Sequence, residues 1–410
     1  MGRATWRLVC VVVLVAVVSI NVLVFLSSAD INPMTQDILL DPNAPVILVA
    51  DDGEDRPEAL PQAAPPGARP GAPPRARPRT PRPALVNSVL LKPGAATDKF
   101  LVHSYDHGGG GVASQALNLL LDDIFFLYQP LYKLAEQEPI PAVHRLTRDK
   151  AEQGVKWLHQ IFNCSVERHR DLLHEPFLWK SQSVRNTYIK ECQHRQVELG
   201  ECVERACHSR TLHAVYTLRL GMTHILQLLK RYTQHLKVVL VLRDPRAVLS
   251  ARRRAAQRIN INTPIDFKAQ ASVLCATMAA DLDVVNHMHK FYPDSVMVLH
   301  YEHLVRHSRQ VLAYLYDFLG LQVTSDRLER IIKILRLDRS EELLLQLSKM
   351  WQLDLTLQES RAVDEGCTIH YDQLGYLPVP DTINTKNNNI ITWDQARMWE
   401  DKQRNISTIQ

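Results

Sequence analysis

Residues 237–242 read KVVLVL, and this run limits the possible folds more than any other stretch of the chain. A continuous series of branched apolar residues, without polar alternation, suits a strand buried on both faces. Such strands belong to parallel sheets with helices on both sides. Neighbouring segments agree. KFLVHSY (99–105) reads as a short buried strand, and IFFLYQPLY (124–132) as strand and loop. TLHAVYTLRL carries a strand around 214–217, and VMVLHYEHL is a strand running into a loop. Helical patterns lie between them: VASQALNLLLDD, 142–180 with Trp157 and Phe162 in the core, GMTHILQLLKRYTQ, and a helix from Arg246. More follow at 266–290, 308–319 and 326–349, with Val273, Met278, Leu282 and Val285 expected on the core face of the first. Strands alternating with helices predict one α/β domain over about 86–410, a central parallel sheet flanked by helices.

The N-terminus has a different character. Residues 8–26, LVCVVVLVAVVSINVLVFL, are almost wholly apolar, and 19 residues at 1.5 Å rise span roughly the 30 Å hydrocarbon layer. Arg3 and Arg7 precede the run, while Asp30 and Asp37 follow it. That asymmetry predicts a cytoplasmic tail (1–7), a single transmembrane signal anchor (8–26) and a chain otherwise on the far side. A cleaved signal peptide is the competing reading, but the run exceeds a typical h-region and no A-x-A site follows. Residues 57–83 carry ten prolines, with arginines at 69, 75, 77, 79 and 82, so 27–85 is expected to be an extended stem without a core.

Composition narrows the partners. A net charge of +4 is too small an excess to argue for nucleic acid. Six cysteines follow the apolar run: Cys164, Cys192, Cys202, Cys207, Cys275 and Cys367. They suit up to three disulfides in an oxidising compartment, with 15 pairings open. No C-x-x-C pair has a matching second pair, so no metal site is expected. Asn163 and Asn405 head glycosylation sequons.

Two strand-to-helix junctions suit an anion. HSYDHGGGGVASQ (103–115) has four glycines that let backbone N–H groups approach a ligand, followed by the positive end of a helix. It lacks the Gly-Lys-Ser/Thr of a nucleotide-kinase loop. In VVLVLRDPRAVLSARRR (238–254), Asp244 is placed as N-cap and Pro245 as first helical residue. Arg243 stands at the strand end, and Ser250, Arg253 and Arg254 follow one to two turns into the helix. Guanidinium groups and a hydroxyl at a helix N-terminus suit a phosphomonoester.

This second string resembles the 3′-phosphate-binding motif of Golgi carbohydrate sulfotransferases, those that sulfate the 6-hydroxyl of GlcNAc, Gal or GalNAc. The resemblance covers roughly 98–321. HAVYTLRLGMTHILQLLKRYTQHLKVV, Cys275 with Asp281-Leu282, VLHYEHL and LAYLYDFLGL all have counterparts, and FFLYQPLY is similar to FYLYEPLW. Trp393 and Trp399 fall in the family's C-terminal segment. What the resemblance implies is a P-loop-like sulfotransferase fold, and 3′-phosphoadenosine 5′-phosphosulfate as donor, without a metal. The acceptor would be a glycan or glycosaminoglycan, and the location a type II Golgi membrane protein with a lumenal catalytic domain. Arg243 and the helix serine would meet the 3′-phosphate. Asp106, His107, Gly108, Gly109, Gly110, Gly111 and Val112 would hold the 5′-phosphosulfate.

This chain departs from that pattern at informative positions. Asp106 stands where the family has arginine, Gln129 where it has the glutamate presumed to be the base, and Ala251 where it has serine, with Ser250 one residue earlier. His107, with His103 as second choice, is the candidate to take the acceptor proton. Lys99 and Arg219 are candidates to bring charge into the site, and Arg252 and Arg253 to compensate for the displaced serine. The alternative is a catalytically inactive sulfotransferase-like Golgi membrane protein that binds a glycan or partner.

Overall fold

Parallel pairing of five strands dominates the computed structural model, which describes residues 90–91, 96–120, 123–135, 145–258, 265–340, 343–344 and 348–379. The proposed membrane span, the stem, Asn405, Trp393 and Trp399 lie outside the described residues. Among the described residues no helix is long and apolar enough to cross a membrane.

The strands are β1 (Leu90–Leu91), β2 (Lys99–His103), β3 (Ile124–Tyr128), β4 (Leu212–Thr217), β5 (Leu236–Leu242), β6 (Val296–His300) and β7 (Leu321–Gln322). β1 and β7 form a small antiparallel pair. The main sheet has order β3-β4-β2-β5-β6, every pairing parallel. The principal helices are α1 (Gly110–Asn118), α2 (Arg148–Phe162), α3 (Leu199–His208), α4 (Met222–Arg231) and α5 (Pro245–Arg258). They continue with α6 (Phe267–Phe291), α7 (Ser308–Phe318), α8 (Ser325–Ile334) and α9 (Leu357–Cys367).

Alternation along each strand sends successive side chains to opposite faces, and here both faces are apolar. Leu101, Phe125, Val215, Val238 and Leu240 enter one core with Trp157, Phe162 and residues of α4 and α6. Phe100, Val102, Phe126, Tyr216, Val239 and Val241 enter the other, with Leu312, Leu315 and Ile331. That double burial explains why KVVLVL shows no polar alternation.

Three expectations need correction. Val273 is 46% exposed rather than core, although Met278, Leu282 and Val285 are buried. The segment after VMVLH is a short helix, Tyr301–Arg306, not a loop. The helix expected over 326–349 is interrupted: α8 stops at Ile334 before Arg336 takes a left-handed backbone with φ 55°, and helical residues recur at 343–344 and 348. Apolar periodicity continues past that point, but a non-glycine residue at positive φ cannot propagate a helix.

All six cysteines beyond the apolar run pair: Cys164–Cys207, Cys192–Cys202 and Cys275–Cys367. The last ties α6 to α9 and so fastens the C-terminal described segment to the sheet's helical layer.

Candidate active site

Chain order makes β2 the point from which the strands spread to either side, with β5 beside it. The crevice beyond the C-terminal ends of β2 and β5 is therefore the topological switch point, where open α/β sheets bind ligands. Register makes the two junctions meet there. His103 pairs with Leu240, so Arg243 stands level with the turn after β2. Arg243 Nη1 donates to the His107 carbonyl at 3.0 Å. Arg243 is buried, and its Nε has no partner among the described residues.

The turn is tight. Gly108 N–H donates to the Tyr105 carbonyl at 2.7 Å, and His107 takes φ 61°. Gly109 is the N-cap of α1 with φ 78° and no side-chain cap. A Cβ at Gly109 would lie 2.2 Å from Tyr301 Cδ2, and one at Gly110 would lie 2.3 Å from Ser104 Oγ. At these two positions packing alone demands glycine. The Tyr301 ring that fills the space over Gly109 also lies under the Arg243 guanidinium, 4.5 Å from its centroid. Gly110 and Gly111 open α1, and their N–H groups find no acceptor inside the helix. Val112 is buried and donates to the Gly109 carbonyl at 3.2 Å. His107 is 4% exposed, and its Nδ1 is buried without a hydrogen-bond partner among the described residues.

Asp106 is not a lone negative charge. Its Oδ2 lies 4.0 Å from Arg252 Nε and 3.6 Å from His107 Nε2. Arg252 also donates to the Asp106 carbonyl at 3.4 Å. Burial lowers the pKa of Arg219 and of Arg252, and in both the Asp106 carboxylate opposes that shift. Two guanidinium groups thus face one carboxylate. The candidate charge donor Lys99 is not among them. It sits at the opposite end of β2, paired with Asp98 at 2.6 Å.

The RDPR string divides its labour. Arg243 faces the glycine turn, while Asp244 and Arg246 build the frame. Asp244 caps α5 by accepting the Arg246 N–H at 2.9 Å. Arg246, fully buried, pairs with Asp244 at 2.8 Å and with Asp364 at 3.2 Å, and stacks on Trp351 at 4.4 Å. Burial opposes its charge, but Asp244, Tyr371 and Asp364 outweigh burial and raise its pKa. Asp364 also accepts from Tyr371 Oη and from the Val379 N–H, each at 2.6 Å. The network clamps residues 351–379 over α5.

Residues of that segment meet the basic turns of α5. Ser250, fully buried, donates to Asp354 Oδ2 at 2.8 Å. Arg254 pairs with the same oxygen at 3.0 Å, and Arg253 pairs with Glu359 at 2.7 Å. Ala251 is half-buried.

Behind the glycine turn lies a second polar cluster. Asp281 accepts from Tyr105 Oη at 2.7 Å and from the Met222 N–H at 2.9 Å, and pairs with Arg145. Burial alone would raise its pKa, but His103, Arg145 and the Met222 N–H outweigh burial and lower it to about 2. His103, fully buried, is held by the Thr217 carbonyl at 3.1 Å. Gln129 follows β3 with φ 46°, its N–H donating to the Tyr216 carbonyl at 2.8 Å. Beyond β6, Glu302 accepts from the Asp244 N–H at 3.0 Å and from Tyr376 Oη at 3.1 Å. Burial, reinforced by Asp244, pushes the Glu302 pKa up to about 7. Reading the sequence nominated none of Tyr301, Glu302 or Asp354, because nothing local marks which residues will face the crevice. Cys164, Cys207 and His213 lie close enough to hold a metal, but those two sulfurs are bonded to each other.

A sulfotransferase-domain family model matches residues 152–367, just over half of the chain, from within α2 to the end of α9. The span includes Arg243 and Ser250 and begins after the glycine turn. Comparison with curated protein sequences finds no match. Among solved structures, the chain is similar to mouse sulfotransferase SULT7A1 complexed with PAP, at 11% identity over 67% of this chain and 84% of that one, with TM-score 0.39. It is also similar to the sulfotransferase domain of the Synechococcus PCC 7002 olefin synthase, at 16% identity over 65% and 94%, with TM-score 0.33. A third is sulfotransferase STF1 from Mycobacterium tuberculosis, at 13% identity over 62% and 76%, with TM-score 0.30.

Proposed function

Because the chain belongs to the sulfotransferase family, we propose that it transfers a sulfuryl group from 3′-phosphoadenosine 5′-phosphosulfate to a carbohydrate hydroxyl. The 6-hydroxyl of GlcNAc, Gal or GalNAc is the expected acceptor, on a glycan or glycosaminoglycan in the Golgi lumen. One observation carries this reading: Arg243 and the glycine turn meet at 3.0 Å across the β2–β5 crevice. A single nucleotide can therefore touch both.

The residues present fit such a donor. The uncapped start of α1, the unpartnered Arg243 Nε and the Arg219–Arg252 pair together favour an anion. The donor supplies the activated sulfuryl group and a phosphate leaving group. The Gly110 and Gly111 N–H groups would hold negative charge developing on the 5′ leaving oxygen, while Arg243 would meet the 3′-phosphate. Gln129 has no basic atom, so His107 is the assigned acceptor of the proton from the acceptor hydroxyl. The three disulfides support an oxidising compartment, and the apolar run at 8–26 supports a membrane-anchored, type II arrangement.

Gln129 and the Ser250–Asp354 contact favour a second reading, a non-catalytic glycan- or partner-binding module. Labelled sulfate transfer from the donor to galactose-, GlcNAc- and chondroitin-type acceptors separates the two. Incorporation that His107→Ala lowers about a hundred-fold is expected for the enzyme. Adenosine 3′,5′-bisphosphate stabilising the full-length chain without any transfer would leave the binding module.

A further inference from the structure

The peptide that follows Arg243 is held by a carboxylate whose charge is not fixed. β5 and β6 run parallel with Leu242 opposite His300, so Arg243 and Asp244 stand beside Tyr301 and Glu302. The Tyr301 ring lies 4.5 Å from the Arg243 guanidinium, and Glu302 Oε1 accepts the Asp244 N–H at 3.0 Å. The other Glu302 oxygen meets Tyr376 Oη at 3.1 Å, and the same hydroxyl meets His300 Nδ1 at 3.1 Å. Gly375, at φ 75°, turns the chain after the helix Tyr371–Leu374 and so brings Tyr376 to this place.

The row Asp244–Glu302–Tyr376–His300 can take up a proton without losing a hydrogen bond. With Glu302 ionised, His300 Nδ1–H donates to Tyr376 Oη, and Tyr376 donates to Glu302. With Glu302 protonated, its O–H donates to Tyr376 Oη, and Tyr376 donates to Nδ1 of the other His300 tautomer. Glu302 Oε1 accepts the Asp244 N–H in both. The groups facing Glu302 set which form is present. Burial and then Asp244 push its pKa up to about 7, while the Asp244 N–H and the Arg243 charge oppose them. Burial and then His303 lower the pKa of His300 to about 4, so the imidazole is neutral in both arrangements near neutral pH. Burial, then Glu302 and Asp244, hold the Tyr376 pKa well above its ordinary value, so its hydroxyl keeps its hydrogen.

Resting on the proposed nucleotide-binding reading, we propose that Glu302 is a positioning residue for Arg243 and couples binding of the 3′-phosphate to uptake of a proton. It holds the Arg243–Asp244 peptide in either charge state. Its ionised form offsets part of the Arg243 charge, and its protonated form leaves that charge to the ligand. A phosphate arriving at Arg243 repels the carboxylate, so binding draws a proton onto Glu302. The sign follows: affinity is full where Glu302 is already neutral, below about pH 7, and declines as pH rises above that value.

The test titrates the purified full-length chain calorimetrically with adenosine 3′,5′-bisphosphate and with adenosine 5′-monophosphate, from about pH 6.5 to about pH 8.5. Wild-type affinity for the bisphosphate falls about ten-fold across that range, and affinity for the monophosphate, which lacks the 3′ charge, falls much less. The amide of Glu302→Gln reproduces the hydrogen bonds of the protonated acid, so that variant keeps the low-pH affinity throughout. Tyr376→Phe removes a hydrogen bond to the ionised form and moves the decline to higher pH, which provides the test should the glutamine variant fold poorly. A bisphosphate decline that neither variant alters, or that the monophosphate shares in full, overturns this proposal alone. Failure of both nucleotides to bind wild type overturns the nucleotide reading as well.

Discussion

Asp106 puts a negative charge where a sulfuryl donor needs a positive one, and the fold answers with Arg219 and Arg252 from distant parts of the chain. A carboxylate about 4 Å from an anion repels it by about 4 kcal/mol at an effective dielectric of 20. With two guanidinium groups at hand, the local balance instead favours an anion. Asp106→Asn removes the internal counter-ion. Affinity for adenosine 3′,5′-bisphosphate is expected to rise about ten-fold, measured by titration. The unliganded protein should lose about 1 kcal/mol in denaturant melts, a modest loss because Asp106 is partly exposed. The substitution itself was plain in HSYDHGGGG. Its meaning was not, because Arg252 lies 146 residues further along the chain. Gly109 shows the same limit. Its glycine was legible, but the sequence suggested room for a phosphate, whereas the Tyr301 ring fills the Cβ position.

Elements followed local rules wherever those rules were strong. β2, β3, β4, β5 and β6 appear where apolar runs predicted strands, and α5 begins at the Asp244-Pro245 pair. The helix expected through 349 breaks after α8, since its periodicity continues while its backbone turns at Arg336, and helical residues return at 343–344 and 348. That segment leads into the part of the chain that covers the site, and its hold depends on Cys275–Cys367. The bond closes a loop of 92 residues, which in the chain-entropy account stabilises the fold by about 4–5 kcal/mol. Cys275→Ser/Cys367→Ser is expected to lower the unfolding free energy by an amount of that order, measured by denaturant melts. Residues 351–379 should become sensitive to protease before the sheet does, as followed by limited proteolysis. A variant as resistant as wild type would show that the Arg246–Asp364 pairing alone holds the segment.

At the scale of the whole molecule, one buried carboxylate joins the sheet to two helices. Asp281 on α6 takes hydrogen bonds from Tyr105 beyond β2 and from the start of α4, and it pairs with Arg145. Its pKa, about 2, lies below the ordinary 3.8, so the folded state binds the proton less readily than the unfolded chain. Its contribution is therefore present above pH 4 and lost as pH falls from about 4 to about 2, amounting to about 2 kcal/mol. Equilibrium unfolding across that range should show this loss, and Asp281→Asn should flatten it while lowering stability at neutral pH. The sequence by itself determined the α/β class, the strands, the N-cap of α5 and the two junctions, because hydrophobic period and capping act between near neighbours. Tertiary structure alone decided which of fifteen cysteine pairings forms, where Asp106 finds its cations and that Asp354 sits on Ser250. Those depend on residues meeting across the sheet, and a periodic pattern specifies which face is buried without specifying what it is buried against.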